Sequence, residues 1–302
     1  EMILGDWSSD VCSSDLRTGM KSGMVVSGDV ALAVETLGER DAPAIVLCQG
    51  LGMRVADWPD RLIEGLAGQF FVVLVENRDI GRSGRADKPY TLFDMATDIE
   101  RVASELGLER FDLLGFSMGG NIAQIVAARC RDRVTALILI CGSSGETEPP
   151  FPEEARRRFQ ITARGFASRE ATIDWLAEDT AYFAAPETVS PAEARRNAVD
   201  MVEAGHSAKA FARQYAAICG SGDRSDLLRL IAAPALVIAG SGDVCIPPES
   251  SRRAAALIPR ARFVRLEGAG HWIGDAAIHA TLAWLDETVS ELEESAGHGS
   301  RS

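Results

Sequence analysis

One serine between glycines, one histidine and one aspartate hold the reactive chemistry of this 302-residue chain. The string Gly115-Phe116-Ser117-Met118-Gly119-Gly120 fits G-x-S-x-G. It falls between an apolar run that reads as a buried strand and a stretch that reads as a helix. In that setting the serine sits on a sharp, strained turn with its hydroxyl presented at the top of a sheet. Gly115 and Gly119 are required because a β-carbon at either position would strike the neighbouring strand or helix. Three fixed positions at roughly 7% usage each give about 0.1 chance matches in a chain of this size. The pattern occurs once, in the right context, so Ser117 reads as a nucleophile.

A serine hydroxyl needs a base, and the base needs an acid to orient it. Of the four histidines, His271 lies in GAGHW, on a glycine-rich loop after an apolar run. His206, His279 and His298 read as ordinary surface or core residues. Two GSGD strings compete for the acid, Gly220–Asp223 and Gly240–Asp243. Asp223 follows a helical stretch and precedes Leu227, so it reads as a helix cap or turn residue. Asp243 follows the buried run ALVIAG and is stopped by Pro247-Pro248, so it is the expected acid, in the chain order Ser…Asp…His. Two backbone donors must face the oxyanion. Met118, directly after the nucleophile, supplies one, and Leu51, in the loop Gln49-Gly50-Leu51-Gly52, is expected to supply the other. Gln49, Trp175, Phe183 and Trp272 are the expected pocket residues, and Arg78, Asp79 and Ser83 read as a hydrogen-bonded brace.

These residues need a scaffold that brings strand ends together. MVVSGDVALAV reads as a hairpin around Ser27-Gly28-Asp29. Ala44–Cys48 and Phe70–Val75 are continuous apolar runs, as expected of strands covered on both faces. Further strands are expected at Phe111–Gly115, Val134–Ile140, Ala235–Gly240 and Phe263–Gly268. Helices are expected at Asp57–Gly68, Thr91–Leu106, Met118–Arg129, Glu249–Ile258 and a final stretch to about Glu294. This alternation specifies a mostly parallel α/β sheet with helices on both faces. It breaks between Phe151 and Cys219, where only helices are expected: Glu153–Phe166, Arg169–Glu178, Pro191–Ala204 and Ser207–Cys219. Residues 146–222 are therefore expected to be a helical lid over a core of 24–145 and 223–294. Parallel sheets of this kind carry their ligands at the strands' carboxyl ends.

Composition narrows the partners. With 44 acidic against 31 basic side chains the formal charge is −13, which repels phosphate backbones and anionic bilayers. Nucleic acid and membrane are not expected partners, and a small molecule is. Six cysteines without a CxxC pair fit neither a disulfide scaffold nor a zinc site. A cytoplasmic setting is expected, and no cofactor or metal is called for. Residues 1–19, which contain DWSSDVCSSDL, show no structural period and no basic n-region. They read as a non-native, adapter-like leader, with the natural start at Met20 or Met24; residues 295–302 read as a flexible tail.

The elbow GFSMGG, the SGD…P acid loop and the GAGH loop, in that order, resemble the α/β-hydrolase superfamily from about Met24 to Leu292. Within it, SGDVALAVETLG, NRDIGRS and IPRARFVRLEGAGH are similar to aclacinomycin methylesterase-type hydrolases. That resemblance implies cleavage of a methyl or other small ester on a polycyclic acid. Two departures are Gln49, where many members carry histidine, and Glu76, where aspartate is commoner. The expected activity is that of a serine esterase working through an acyl-enzyme. Carbon–carbon bond and enol-lactone hydrolases use the same three residues, and a receptor of this fold that does not turn over would keep them too.

Overall fold

The computed structural model describes residues 19–146, 151–185 and 188–299, with side chains as far as Thr288. The strands are β1 (Lys21–Ser27), β2 (Val30–Leu37), β3 (Ala44–Cys48), β4 (Phe71–Val75), β5 (Phe111–Phe116), β6 (Val134–Ile140), β7 (Ala235–Gly240) and β8 (Ala261–Leu266). They form one sheet in the order β1-β2-β4-β3-β5-β6-β7-β8. The β1–β2 hairpin joins β4 antiparallel, and from β4 to β8 every pairing is parallel. This is the α/β-hydrolase architecture that the motifs led us to expect.

Side-chain alternation along each buried strand feeds two cores. Ile45 and Leu47 of β3 join the layer that holds α1 (Asp60–Ala67) and α10 (Asp275–Gly299), with Leu62, Leu66, Ile278 and Leu285. Val46 and Cys48 face the opposite layer with α2 (Leu92–Glu105), α3 (Met118–Arg129) and α9 (Pro248–Leu257). Both faces of the strand are covered, so polar residues have no place along it. Each fully buried aliphatic side chain contributes about 1.5–3 kcal/mol relative to exposure.

Among the described residues, the stretch where only helices were expected holds α4 (Glu153–Arg164), α5 (Arg169–Ala184), α6 (Pro191–Glu203) and α7 (Ala208–Cys219). A short α8 (Ser225–Leu230) follows. Helix α4 packs on α7, and α5 on α6.

The structure moves several boundaries. The helix expected from Asp57 starts at Asp60, with Pro59 as its N-cap. The Asp57 carboxylate is taken instead by the Arg54 amide at 2.7 Å, which closes a short 3-10 turn, Val55–Asp57. Strand β8 begins two residues earlier than its apolar run, because pairing with β7 from Ala235↔Ala261 dictates its span. Helix α5 continues six residues past Glu178, to Ala184. The expected loose tail is helical as far as Gly299, since Glu, Leu and Ala are strong formers and a helix already nucleated propagates cheaply. The adapter-like leader lies outside the described residues, apart from Gly19.

The loop after β4 is braced by its own polar residues. Arg78 makes a two-pronged pair with Asp98 of α2, both contacts at 2.7 Å and both residues buried. Ser83 Oγ donates to Glu76 O at 2.7 Å and accepts from Ala33 N of β2 at 2.9 Å. Removing one member of a buried ion pair leaves the other charge uncompensated. Asp98→Ala should therefore lower the free energy of unfolding by about 3 kcal/mol, read from urea denaturation followed by circular dichroism.

Candidate active site

Strand register builds the site. Gly115 is level with Cys48, Phe116 with Ile140, and Ile140 with Ile238, so the carboxyl ends of β3, β5, β6 and β7 form one ledge. Strand β4 lies on one side of β3 and β5 on the other, and such a switch in winding direction opens a crevice above the sheet. Ser117 stands there, between β5 and α3.

Its backbone is at φ 54°, ψ −119°, a conformation L-residues rarely adopt and one that costs about 1–3 kcal/mol. Two bonds hold it: Ser117 N donates to Ile140 O at 2.9 Å, and Asn121 N donates back to Ser117 O at 3.2 Å. The flanking glycines are sterically compelled. A Cβ on Gly119 would overlap the Cys48 carbonyl, and one on Gly115 would overlap the Gly119 carbonyl and come within 2.6 Å of Gly120 Cα.

The structure brings the three expected residues into one relay. His271 Nε2 lies 2.8 Å from Ser117 Oγ, and His271 Nδ1 lies 2.8 Å from Asp243 Oδ2. The other Asp243 oxygen accepts from the amides of Cys245 at 2.8 Å and Ile246 at 2.7 Å, which fixes the carboxylate plane. His271 N donates to Phe183 O at 2.7 Å, and Phe116 packs 5.1 Å from the imidazole. Burial alone would depress the His271 pKa, but the Asp243 carboxylate outweighs it and holds the imidazole well above its ordinary value. The decoys lie elsewhere: exposed Asp223 accepts from Ser225 N at 2.8 Å, half-buried His206 packs on Phe211, and His279 is exposed.

Among the described residues, the Leu51 and Met118 amides take no hydrogen-bond partner. Met118 N is a first-turn amide of α3, left over by helix geometry. In the loop after β3, Met53 N bonds Gly50 O at 3.3 Å and Gly52 N bonds Gln214 Oε1 at 2.9 Å. Leu51 N–H is the amide left free between them.

The four expected pocket residues divide. Phe183 is at the site, its ring 6.4 Å from His271 and stacked 5.3 Å from Phe159. Trp175 is engaged within the helical segment, where Nε1 donates to Thr162 Oγ1 at 2.9 Å and the ring packs on Phe166. Trp272 packs with Ala177, Ala184, Val189 and Ala194. Gln49 is fully buried, and neither end of its amide has a partner among the described residues.

Sequence reasoning missed Phe116, Cys141 and the aromatic stack behind Phe183. Phe159 contacts Phe151, Phe183, Phe211 and Tyr215, which carries an apolar wall from His271 into α4 and α7. The signal was the aromatic enrichment of this segment, which does not say which rings meet. Cys141, at φ 53°, has its sulfur within 4.8 Å of donor atoms of both Asp243 and His271. These three are the only donors of this kind so grouped among the described residues. His271 and Asp243 are already engaged with each other and burial pushes the Cys141 thiol up, so the arrangement suits proton transfer.

The Gln49 amide yields a test. Replacing an unpaired buried polar group by an apolar one of similar size is neutral to stabilising, whereas losing a satisfied bond costs about 1 kcal/mol. Gln49→Leu should leave the thermal unfolding midpoint unchanged or raise it, as read by differential scanning fluorimetry.

Known proteins match this architecture. The chain is 26% identical over 291 residues to the rhodomycin D methylesterase DnrP of Streptomyces peucetius, covering 87% of this chain and 96% of that one. In structure it is similar to the enol-lactonase from Burkholderia xenovorans LB400, with TM-score 0.73, 24% identity, and 89% and 100% of the two chains covered. It also resembles the 2-hydroxy-6-oxo-6-phenylhexa-2,4-dienoate hydrolase of Rhodococcus sp. strain RHA1, with TM-score 0.76, 20% identity, and 90% and 99% covered. At these identities the two structural likenesses speak to the fold. A family model described as alpha/beta hydrolase fold matches residues 43–275, and the chain belongs to that family.

Proposed function

We propose that the protein is a serine hydrolase that cleaves a carboxylic ester, methyl esters included, of a small and largely apolar substrate. The observation that carries this is the unbroken relay Ser117 Oγ–His271 Nε2 and His271 Nδ1–Asp243, at 2.8 Å each, beside two free amides. His271 takes the Ser117 proton as Oγ attacks the ester carbonyl. Asp243 holds the imidazole tautomer and stabilises the imidazolium. The Leu51 and Met118 amides receive the oxyanion. Collapse of the tetrahedral intermediate expels the alcohol, which takes the proton from His271. Water, deprotonated by the same histidine, then releases the acid and restores the serine.

The aromatic wall behind Phe183 supports an apolar, ring-bearing acyl or alcohol part, and the methylesterase relative supports an ester over other bonds. Helices α4–α7 serve as the lid in this reading. Among the described residues, five unpaired cysteines accord with a cytoplasmic setting.

Ser117→Ala should lower turnover of p-nitrophenyl acetate by about 10⁴-fold or more; unchanged turnover would sink the proposal. Methyl esters, enol-lactones and meta-cleavage ketones at matched concentration identify the bond, with methyl esters expected to be cleaved fastest. The base acts only when neutral, so kcat/KM should fall as pH drops through the raised His271 pKa. The midpoint of that acid limb should lie above the ordinary histidine value and move down in Asp243→Asn, which removes the charge that raises it.

A further inference from the structure

Helix α7 reaches from the helical segment to the loops around the nucleophile with three nearby side chains. Gln214 is fully buried. Its Oε1 accepts from Gly52 N at 2.9 Å and its Nε2 donates to Arg78 O at 3.0 Å. Its neighbour Arg213 grips the Asp79 carboxylate with Nε at 2.7 Å and Nη2 at 2.5 Å. The ring of Phe211 lies where a side chain on Gly52 would go, 3.2 Å from an added Cβ.

These contacts fall on a turn with an intrinsic ambiguity. Residues Gly50–Met53 are closed by Met53 N to Gly50 O at 3.3 Å, and Gly52 has φ 73°. A four-residue turn with positive φ at its third position is type II, and it differs from type I by rotation of the central peptide. Here that peptide is Leu51–Gly52. Its N–H points at Gln214 Oε1, so the Gln214 acceptor selects one of the two orientations. Flipping the peptide would aim the Leu51 carbonyl at Gln214 Oε1, oxygen against oxygen, and leave a buried acceptor unpaired. Few other bonds restrain this turn: Asn77 Nδ2 donates to Gln49 O at 3.2 Å, one residue before it.

We propose that Gln214 is a positioning residue for the oxyanion hole: by bonding Gly52 N and Arg78 O together it anchors the turn that carries the Leu51 N–H against the loop after β4. This rests on the reading of Ser117 as nucleophile and Leu51 as oxyanion donor. Its consequence is that the hole is complete only while α7 is seated on the loops after β3 and β4. The helical segment thus contributes to the rate of the chemical step as well as covering the site. Misaligning one donor weakens transition-state binding while ground-state binding is kept, and it costs about 10–100-fold.

The test compares wild type, Ser117→Ala, Gln214→Met and Gln214→Glu on p-nitrophenyl butyrate, with phenylboronic acid as the probe of the hole. Its tetrahedral adduct with a serine places an oxygen there. Gln214→Met keeps the volume and loses both bonds, whereas Gln214→Glu, kept neutral by full burial against the Arg78 carbonyl, retains an acceptor for Gly52 N–H and a donor for Arg78 O. Gln214→Met should lose about 10–100-fold in kcat with KM within about threefold, and phenylboronic acid should weaken by a similar factor. Gln214→Glu should restore kcat to within about threefold of wild type. Wild-type kcat in Gln214→Met, or a loss carried by KM with boronate inhibition unchanged, overturns the proposal. If Gln214→Met does not fold, Gln214→Glu decides alone, and a loss of tenfold or more in it also overturns the proposal. Ser117→Ala separates the two levels: if it stays active, the serine-hydrolase reading fails; if it is dead while Gln214→Met is fully active, only the role of Gln214 fails.

Discussion

The close approach of α3 to the end of β3 is the constraint on which the site depends. No side chain fits between Gly119 and the Cys48 carbonyl, and none fits between Gly115 and the Gly119–Gly120 main chain. With both glycines in place, the chain turns from strand to helix within one residue and Ser117 takes the positive φ that results. The hydroxyl is lifted clear of the sheet, and the Met118 amide comes with it as the first donor of the helix. The same contact brings the Cys48 and Gln49 carbonyls, at the start of the loop after β3, against Gly119. The surrounding parallel sheet over-determines this strained backbone.

Around the elbow the charged groups are each held by specific partners. Asp243 is held by two amides and His271, Asp79 by Arg213, Tyr90 and the Ala86 amide, and Arg78 by Asp98. His271 alone bridges a carboxylate on one nitrogen and a hydroxyl on the other. The rings of Phe116 and Phe183 beside it keep the surroundings apolar, which strengthens the attraction between Asp243 and the imidazolium. Gln49 is the exception to this economy. Its side chain is buried without partners among the described residues, next to the Gly50–Met53 turn.

The helices between β6 and β7 are tied to the strand ends. They are stitched to the sheet by contacts that run through main-chain atoms of the loops: Phe183 O to His271 N from α5, and Gln214 to Gly52 N and Arg78 O from α7. Main-chain contacts of this kind transmit position without depending on which side chains the loops carry. They join two parts of the chain, the helical segment and the strand ends, into one mechanical unit at the reacting atoms.

The sequence by itself determined where the core strands and the elbow lie along the chain, and it singled out Ser117, Asp243 and His271, which the structure brings within hydrogen-bonding reach of one another. These are set by local pattern: apolar runs of strand length, obligatory glycines, and an acid and a base each directly after a buried strand. It also pointed to the Leu51 and Met118 amides, which take no hydrogen-bond partner among the described residues. What only the tertiary structure decided is which side chains meet across long separations. Trp175 and Trp272 carry the same aromatic promise as Phe183, yet they pack among the helices while Phe183 reaches His271 and Gln214 reaches Gly52. The reason is physical. A helix's amphipathic period says which face is buried, but the partner of that face is fixed by the rigid-body packing of helices joined by loops, and no local pattern encodes it.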